Sequence, residues 1–205
     1  MENGRDIDLT NAPTSLAIHP LTPDRWPDLE ALFGPRGATG GCWCMYWRLT
    51  RSEYSFHKGV GNREAFRSIV SVADHPPGLL AYRDDVPVGW CAIAPREHYP
   101  VLDRSRILKR VDDEPVWSIT CFFIARAARR QGVTRSLIAA AVEFAAARGA
   151  RIIEAYPIDP QTPEVPPVFA WTGLMSAFEQ AGFVEVTRRS ETRPIMRYTI
   201  QAPSR

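Results

Sequence analysis

The sequence predicts an α/β fold: a mixed, mostly antiparallel central sheet of about seven strands, with helices on both faces and one parallel strand, helix, strand unit. Three observations carry this. The nearly unbroken apolar run from Trp117 to Ala125 reads as a central strand, and a helical pattern from Val133 to Arg148 separates it from a second apolar run, Arg151 to Tyr156. Such a unit implies two parallel strands joined by a right-handed crossover. Two further pairs of short strand-like segments, Leu79 to Tyr82 with Val88 to Ala94 and Phe183 to Arg189 with Ile195 to Ile200, read as antiparallel hairpins. A chain of 205 residues with 45% hydrophobic content is long enough to bury one sizeable core.

The elements follow in order. Residues 1–15 are polar and read as a disordered tail before a single domain over residues 16–205, which opens with a short alternating strand at Leu16 to His19. Asp24 to Phe33 places Trp26, Leu29, Leu32 and Phe33 at helical spacing and stops at Gly34-Pro35. A glycine-rich turn, Gly37 to Gly41, leads into the aromatic cluster Trp43, Tyr46 and Trp47. Thr50 with Glu53 forms a capping box for a short helix, and Asn62 is the predicted cap of another that runs through Ala73 with Phe66, Ile69 and Val70 on one face. Asp84-Asp85 is the turn of the first hairpin. Pro95 to Pro115 reads as a charged, proline-containing loop with a helical turn around Arg104 to Leu108. The long helix buries Val133, Leu137, Ala140, Ala141 and Phe144 and ends at Gly149. Pro157 to Pro167 holds five prolines and is read as a surface loop, before a short helix at Thr172 to Ala181 ended by Gly182.

A formal net charge of only +2 gives no basic excess for nucleic acid or an anionic membrane, so any anion site must be local. The first residues lack the apolar core of a signal peptide and no later run is long enough to span a bilayer, which points to a cytoplasmic protein. The four cysteines are read as reduced thiols, with Cys91 and Cys121 in apolar runs. Cys42 and Cys44 stand closer than a usual zinc pair and no second close pair follows, so no metal is expected.

The chemically specific element is Arg129-Arg130-Gln131-Gly132-Val133-Thr134, between the central strand and the long helix. A helix start carries unpaired backbone N–H groups and the positive end of the macrodipole, and glycine lets a phosphate approach the backbone. Arg126, Arg129, Arg130 and Arg135 add positive charge suited to a polyphosphate. The same residues also fit a solvated basic loop that caps a helix.

This loop resembles the pyrophosphate loop of the GNAT acetyltransferase superfamily, Q/R-x-x-G-x-G/A. Arg129 and Gly132 match the first and fourth positions, while Thr134 replaces the usual small residue at the sixth. The order of elements from Leu16 to Ile200 is also similar to that fold. The resemblance implies transfer of an acetyl or other short acyl group from acyl-CoA, a co-substrate, to a primary amine by direct attack on the thioester. It implies that Phe122, Phe123 and Ile124 offer backbone groups to the pantetheine arm. The pyrophosphate is then held by Arg129, Arg130, Gln131, Gly132, Val133, Thr134 and Arg135. Phe178 falls in a stretch similar to the family's Leu-Tyr-x-Lys-x-Gly-Phe, at a position where many members carry the tyrosine that acts as acid, and Trp171 replaces a frequent asparagine.

An alkyl ammonium, with a pKa of ~10.4, must lose a proton before it attacks. Glu154 and Tyr156 are two apart on a strand and point to one face, so they are the candidate base and acid. Glu154 equally reads as a buried carboxylate paired with an arginine, and Tyr156 as a packing residue. Glu97, His98 and Tyr99 form a rival group. Trp43, Tyr46, Trp47, Phe169 and Trp171 are candidate aromatic walls for a small ring-bearing amine, with Asp159 or Glu164 to bind its ammonium, and the proline segment is expected to border that pocket. Homodimer formation is left open. Two other readings stay open as well: a silent acyl-CoA-binding module, favoured by Phe178, and a zinc-stabilised interaction domain around Cys42 and Cys44.

Overall fold

A computed structural model describes residues 16–160 and 170–201. It contains a seven-stranded sheet in the order β1-β2-β3-β4-β5-β7-β6, where the strands are Ala17–Pro20 (β1), Gly78–Arg83 (β2), Val86–Pro95 (β3), Trp117–Ile124 (β4), Ile152–Ala155 (β5), Val184–Arg188 (β6) and Pro194–Thr199 (β7). Every neighbouring pair is antiparallel except β4 with β5. The helices are Trp26–Phe33 (α1), Arg51–Phe56 (α2), Val60–Val72 (α3), Pro100–Arg104 (α4), Val133–Ala146 (α5) and Met175–Gln180 (α6). The mixed sheet with one parallel crossover is therefore the predicted one. No helix among the described residues is long and apolar enough to cross a membrane.

Period-two alternation on the inner strands feeds two cores. Leu79, Ala81, Cys91 and Ile93 face α5 and join Leu137, Ala141 and Phe178 in one, while Leu80, Tyr82, Trp90 and Ala92 face the other way toward Leu29, Phe33 and Phe66 of α1 and α3. Both faces are covered, so these strands are apolar throughout instead of alternating with polar residues. A third cluster under α4 gathers Trp47, Tyr99, Leu102, Leu108, Tyr156 and Ile195.

The local signals fall where sequence chemistry placed them, with three shifts. Asp84 and Asp85 both take positive φ, 49° and 59°, as a two-residue hairpin turn of the primed type requires. Asn62 is not a cap. The helix α3 starts earlier because Gly59, at φ 88°, turns the chain directly after α2, and Asn62 lies buried in its first turn with its amide donating to the Gly41 and Tyr54 carbonyls. The helical turn expected around Arg104 to Leu108 forms one turn earlier as α4, because Pro100 at its first position has the φ of a helix and no N–H to lose. The helix read over Thr172 to Ala181 is broken: a 3-10 turn at Ala170–Thr172 precedes α6, separated by Gly173 at φ 85°.

The capping box is present in both halves, the Glu53 amide donating to Thr50 Oγ1 at 3.3 Å and the Thr50 amide to Glu53 Oε2 at 2.9 Å. Thr50→Ala is expected to cost about 0.5–2 kcal/mol in chemical denaturation, as loss of a hydroxyl cap does elsewhere. An unchanged midpoint would show that α2 frays before the rest of the domain unfolds.

Candidate functional site

Pairing between β4 and β5 is short. It runs only from Trp117 with Ile153 to Ile119 with Ala155, so among the described residues the second half of β4 has no strand neighbour on that side. At the point of parting the sheet also bulges on the other side: Ala92 pairs with Cys121 and Ile93 with Ile119, leaving Thr120 as the extra residue of β4. The opening between the strand ends is the larger cavity, about 830 Å³. Its wall on β4 is Phe122, Phe123 and Ile124; its far wall is Gly173, Leu174, Ala177 and Gln180 around α6.

One end of this groove is the start of α5. Gly132 occupies the cap position in the left-handed conformation, φ 77°, and no side chain among the described residues caps the helix. The first intrahelical bond recorded there is the Ser136 amide to the Gly132 carbonyl, so the N–H groups of Val133, Thr134 and Arg135 are the helix's unpaired donors. Arg129, Arg130 and Arg135 line the same end and α5 has no acidic residue in its first turn. Arg129 is oriented by its Nε donating to the Ile124 carbonyl at 3.1 Å. A Cβ built on Gly132 meets nothing within 4 Å, which leaves the backbone open to an approaching anion. The donor set therefore fits a pyrophosphate: three backbone N–H groups, three guanidinium groups and the positive end of a 14-residue helix.

Not every residue of the predicted loop faces the groove. Gln131 is turned away, its amide donating to the Ala127 carbonyl at 2.7 Å and its Oε1 accepting from Arg83. Phe178 is fully buried and stands behind the wall, not on it: its ring lies under Gly173 and packs on Phe122 and Phe183, at centroid distances of 6.0 and 5.1 Å.

A second cavity of about 260 Å³ adjoins the first, and Thr39, Phe122, Phe123 and Trp171 line both. Its remaining walls are Phe33, Ala38, Cys42, Cys44, Tyr46, Tyr54 and Cys121, all of them uncharged. Tyr46 packs edge-on against Trp47, Tyr54 and Trp171 at 4.9, 5.6 and 5.3 Å. Trp43 belongs instead to the core, stacked on Trp26 at 6.0 Å, and Trp47 to the third cluster. Of the three thiols on the wall, Cys121 reads in the sequence as a small residue in an apolar run and Cys42 with Cys44 as a close pair; Trp43 and Cys44, both at positive φ, bend the chain where Cys44 meets Trp90. The Cys44 sulfur accepts the Trp90 indole N–H at 2.8 Å. No three His, Cys, Asp or Glu side chains among the described residues are grouped to hold a metal.

Glu154 and Tyr156 are brought together, but in a buried network. Glu154 Oε2 accepts Arg96 Nη1 at 2.9 Å and the Tyr156 hydroxyl at 2.8 Å, and Oε1 accepts Arg197 Nε at 2.9 Å. Arg96 continues to Asp103 and the Leu108 carbonyl, Arg197 to Asp112, and the Tyr156 hydroxyl also meets Ser118 at 2.8 Å. Burial, then the charge of Glu154, pushes the Tyr156 hydroxyl well above the usual phenol range. Neither residue is among those lining the two cavities. Arg96, whose side chain is 1% exposed, was not singled out in the sequence, where it reads as one more charge in a loop. Glu97 and His98 are exposed, and His98 is pushed down by partial burial and by Arg48. Asp159 is engaged by Arg188 at 2.7 Å. Glu164, Phe169 and residues 161–167 of the proline segment lie outside the described residues.

Comparison with known proteins agrees with this geometry. The acetyltransferase (GNAT) family model matches residues 43–166. No curated protein sequence matches the chain. Among solved structures, the chain is similar to a GCN5-related N-acetyltransferase from Kribbella flavida, with 18% identity, 92% of this chain and 100% of that one covered, and a TM-score of 0.54. An aminoglycoside N-acetyltransferase in complex with CoA aligns at 19% identity over 89% and 95% of the two chains, with a TM-score of 0.54. The Thermoplasma acidophilum PaiA N-acetyltransferase in complex with coenzyme A aligns at 12% identity over 91% and 99%, with a TM-score of 0.52. At these identities the likeness establishes the fold.

Proposed function

The chain belongs to the acetyltransferase (GNAT) family, and we propose that it moves an acetyl group from acetyl-CoA to the amine of a small molecule held in the second cavity. One observation carries the reading. The anion-binding helix start, the unpaired half of β4 and the aromatic cavity form one continuous passage, joined by Thr39, Phe122, Phe123 and Trp171. A phosphate-bearing carrier laid along it would have its acyl end at the mouth of the smaller cavity, the place an acceptor must occupy.

Acetyl-CoA supplies the thioester carbonyl; the protein supplies binding, orientation and charge placement. Val133, Thr134 and Arg135 offer their amides to the pyrophosphate, with Arg129 and Arg130 beside them. The exposed edge of β4 offers backbone groups to the amide-containing arm, in the manner of an added strand. The bulge at Thr120 turns the backbone at the point where strands part, where an amide could meet charge developing on the carbonyl oxygen. No carboxylate or imidazole lines the second cavity among the described residues, so the amine's proton leaves through water or is absent before entry. The cavity's volume, about 260 Å³, and its aromatic walls support a small acceptor. The neighbouring aminoglycoside enzyme shows the same fold serving a small-molecule amine.

The test is free-thiol release from acetyl-CoA against a panel of primary amines. Acceptor-dependent release with formation of the N-acetyl product is the expected result. Tight CoA binding with no release toward any amine would replace this reading with the silent acyl-CoA-binding module.

A further inference from the structure

Three of the protein's four thiols, Cys42, Cys44 and Cys121, stand on the wall of the second cavity. The sheet brings two of them together. Trp90 and Cys121 lie on neighbouring strands in diagonal positions, Trp90 opposite Phe123 and Cys121 opposite Ala92, and so share the face that α1 and α3 cover. Cys44 meets that face from the bend before α2, its sulfur accepting the Trp90 indole N–H at 2.8 Å. The Cys121 S–H has the Cys44 sulfur and the Phe122 carbonyl, the latter at 3.8 Å, as its acceptors. The fourth thiol, Cys91, is fully buried on the opposite face, among the residues under α5.

The surroundings of the two sulfurs divide their roles. An indole nitrogen only donates, so Trp90 stabilises negative charge on the Cys44 sulfur, and the Cys121 S–H adds a second donor. Burial works against that charge but is outweighed by the two donors, which hold the Cys44 thiol below its ordinary range. The same hydrogen bond, and then burial, push the Cys121 thiol well above it, so the proton stays on Cys121. Cys42 is pushed up as well, by burial and then by the charge of Cys44. Oxidation of a thiol starts from its anion and needs access, and Cys44, only 8% exposed, is reached through the cavity it lines. A reactive sulfur with a protonated thiol beside it is the arrangement that a peroxide converts to a disulfide.

We propose that Cys44 and Cys121 form a peroxide-sensitive pair in the second cavity, Cys44 as the sulfur that attacks hydrogen peroxide and Cys121 as the thiol that resolves it. The Cys44 sulfur attacks one oxygen; an S–O bond forms as the O–O bond breaks, and the departing hydroxide takes a proton from solvent. The Cys121 sulfur then displaces the oxygen left on Cys44: an S–S bond forms, the S–O bond breaks, and the oxygen leaves as water with the Cys121 proton. Counted from the two thiols, two electrons and two protons are lost, and the peroxide is reduced to two waters. Cys44 is carried by a bend and not by a helix or strand, so the bend can close the bond while the sheet stays in place. The bond ties that bend to β4 one residue past the Thr120 bulge, and with it the cavity wall beside the point where the strands part. This holds whichever molecule the cavity takes; under the acyl-transfer reading it makes acceptor entry depend on the redox state of the wall.

The experiment reads the bond directly. Reduced protein is treated with hydrogen peroxide, the remaining thiols are capped with N-ethylmaleimide in denaturant, and an unreduced digest is mapped by mass spectrometry. The expected product is a single chain short of two hydrogens, with the Cys44 peptide joined to the Cys121 peptide and with Cys42 and Cys91 capped. Cys121→Ser should form no such bond and instead leave a sulfenic acid on Cys44 that dimedone traps, and Cys44→Ser should slow oxidation of the remaining thiols by about tenfold or more. Oxidation that joins Cys42 to Cys44, links separate chains or spares Cys44 overturns the proposal. Should either variant fail to fold, as judged by circular dichroism, the wild-type map decides alone. With an amine that the reduced protein acetylates, transfer should fall in the bonded form, return on reduction and leave CoA affinity unchanged; undiminished transfer would overturn control of the cavity. Reduced protein that acetylates no amine counts against acyl transfer alone, because the map is read without it.

Discussion

Gly132→Glu is expected to abolish measurable acetyl-CoA binding while the protein stays folded. Gly132 caps α5 at φ 77°, where a residue with a side chain is strained by about 1–2 kcal/mol, a cost a domain of ordinary stability survives. No atom of the described residues lies within 4 Å of where its Cβ would be, so the first added carbon meets nothing in the fold and stands in the space a phosphate needs. The new carboxylate would also compete for the amides of Val133, Thr134 and Arg135 and repel the pyrophosphate, turning the helix start from an anion site into an occupied one. Gly132→Asn separates strain from charge, because asparagine tolerates the left-handed conformation and carries no charge; it should weaken binding less than the glutamate does. Titration calorimetry with acetyl-CoA reads both. Unchanged affinity in folded Gly132→Glu protein would remove the pyrophosphate from this helix start.

What could be read ahead of the structure follows from how local each signal is. The hairpin turn at Asp84-Asp85, the capping box at Thr50 and Glu53 and the helix start at Gly132 are set by residues within a few positions of one another, and each formed as read. Asn62 misled because a side chain that bonds backbone serves a cap and a loop tie equally well; only the fold brings the Gly41 carbonyl beside it. The second cavity was legible in part. Tyr46 and Trp171 were named, but Phe33 and Tyr54 look like helix-face residues, and the thiols Cys44 and Cys121, 77 positions apart in the numbering of the chain, meet only through the sheet.

Glu154→Gln is expected to destabilise the protein strongly while slowing acetyl transfer, in the fraction that remains folded, by less than about tenfold, short of the ~10²- to 10⁴-fold loss that removal of a general base brings. Both carboxylate oxygens are engaged by guanidinium groups, and the Tyr156 proton is directed at Glu154 Oε2, so neither group has a free lone pair or proton toward the groove. The network ties the end of β3 through Arg96, β4 through Ser118, β5 through Glu154 and Tyr156, and β7 through Arg197. All four meet next to the last β4 to β5 pair, Ile119 with Ala155, so the network holds the strands together where they are about to part. Removing its central charge leaves Arg96 buried with only Asp103 to balance it, and breaking a buried pair in this way costs about 3–5 kcal/mol. For a domain of this size that is a fall in Tm of roughly 6–20 °C. Thermal unfolding, kcat measured well below the lowered Tm and CoA affinity are recorded on the same preparation. A variant with wild-type Tm, intact CoA binding and a rate down a hundredfold or more, its acidic pH limb gone, would return Glu154 to the role of base; the reverse pattern makes it the residue that sets the angle at which the cofactor groove opens.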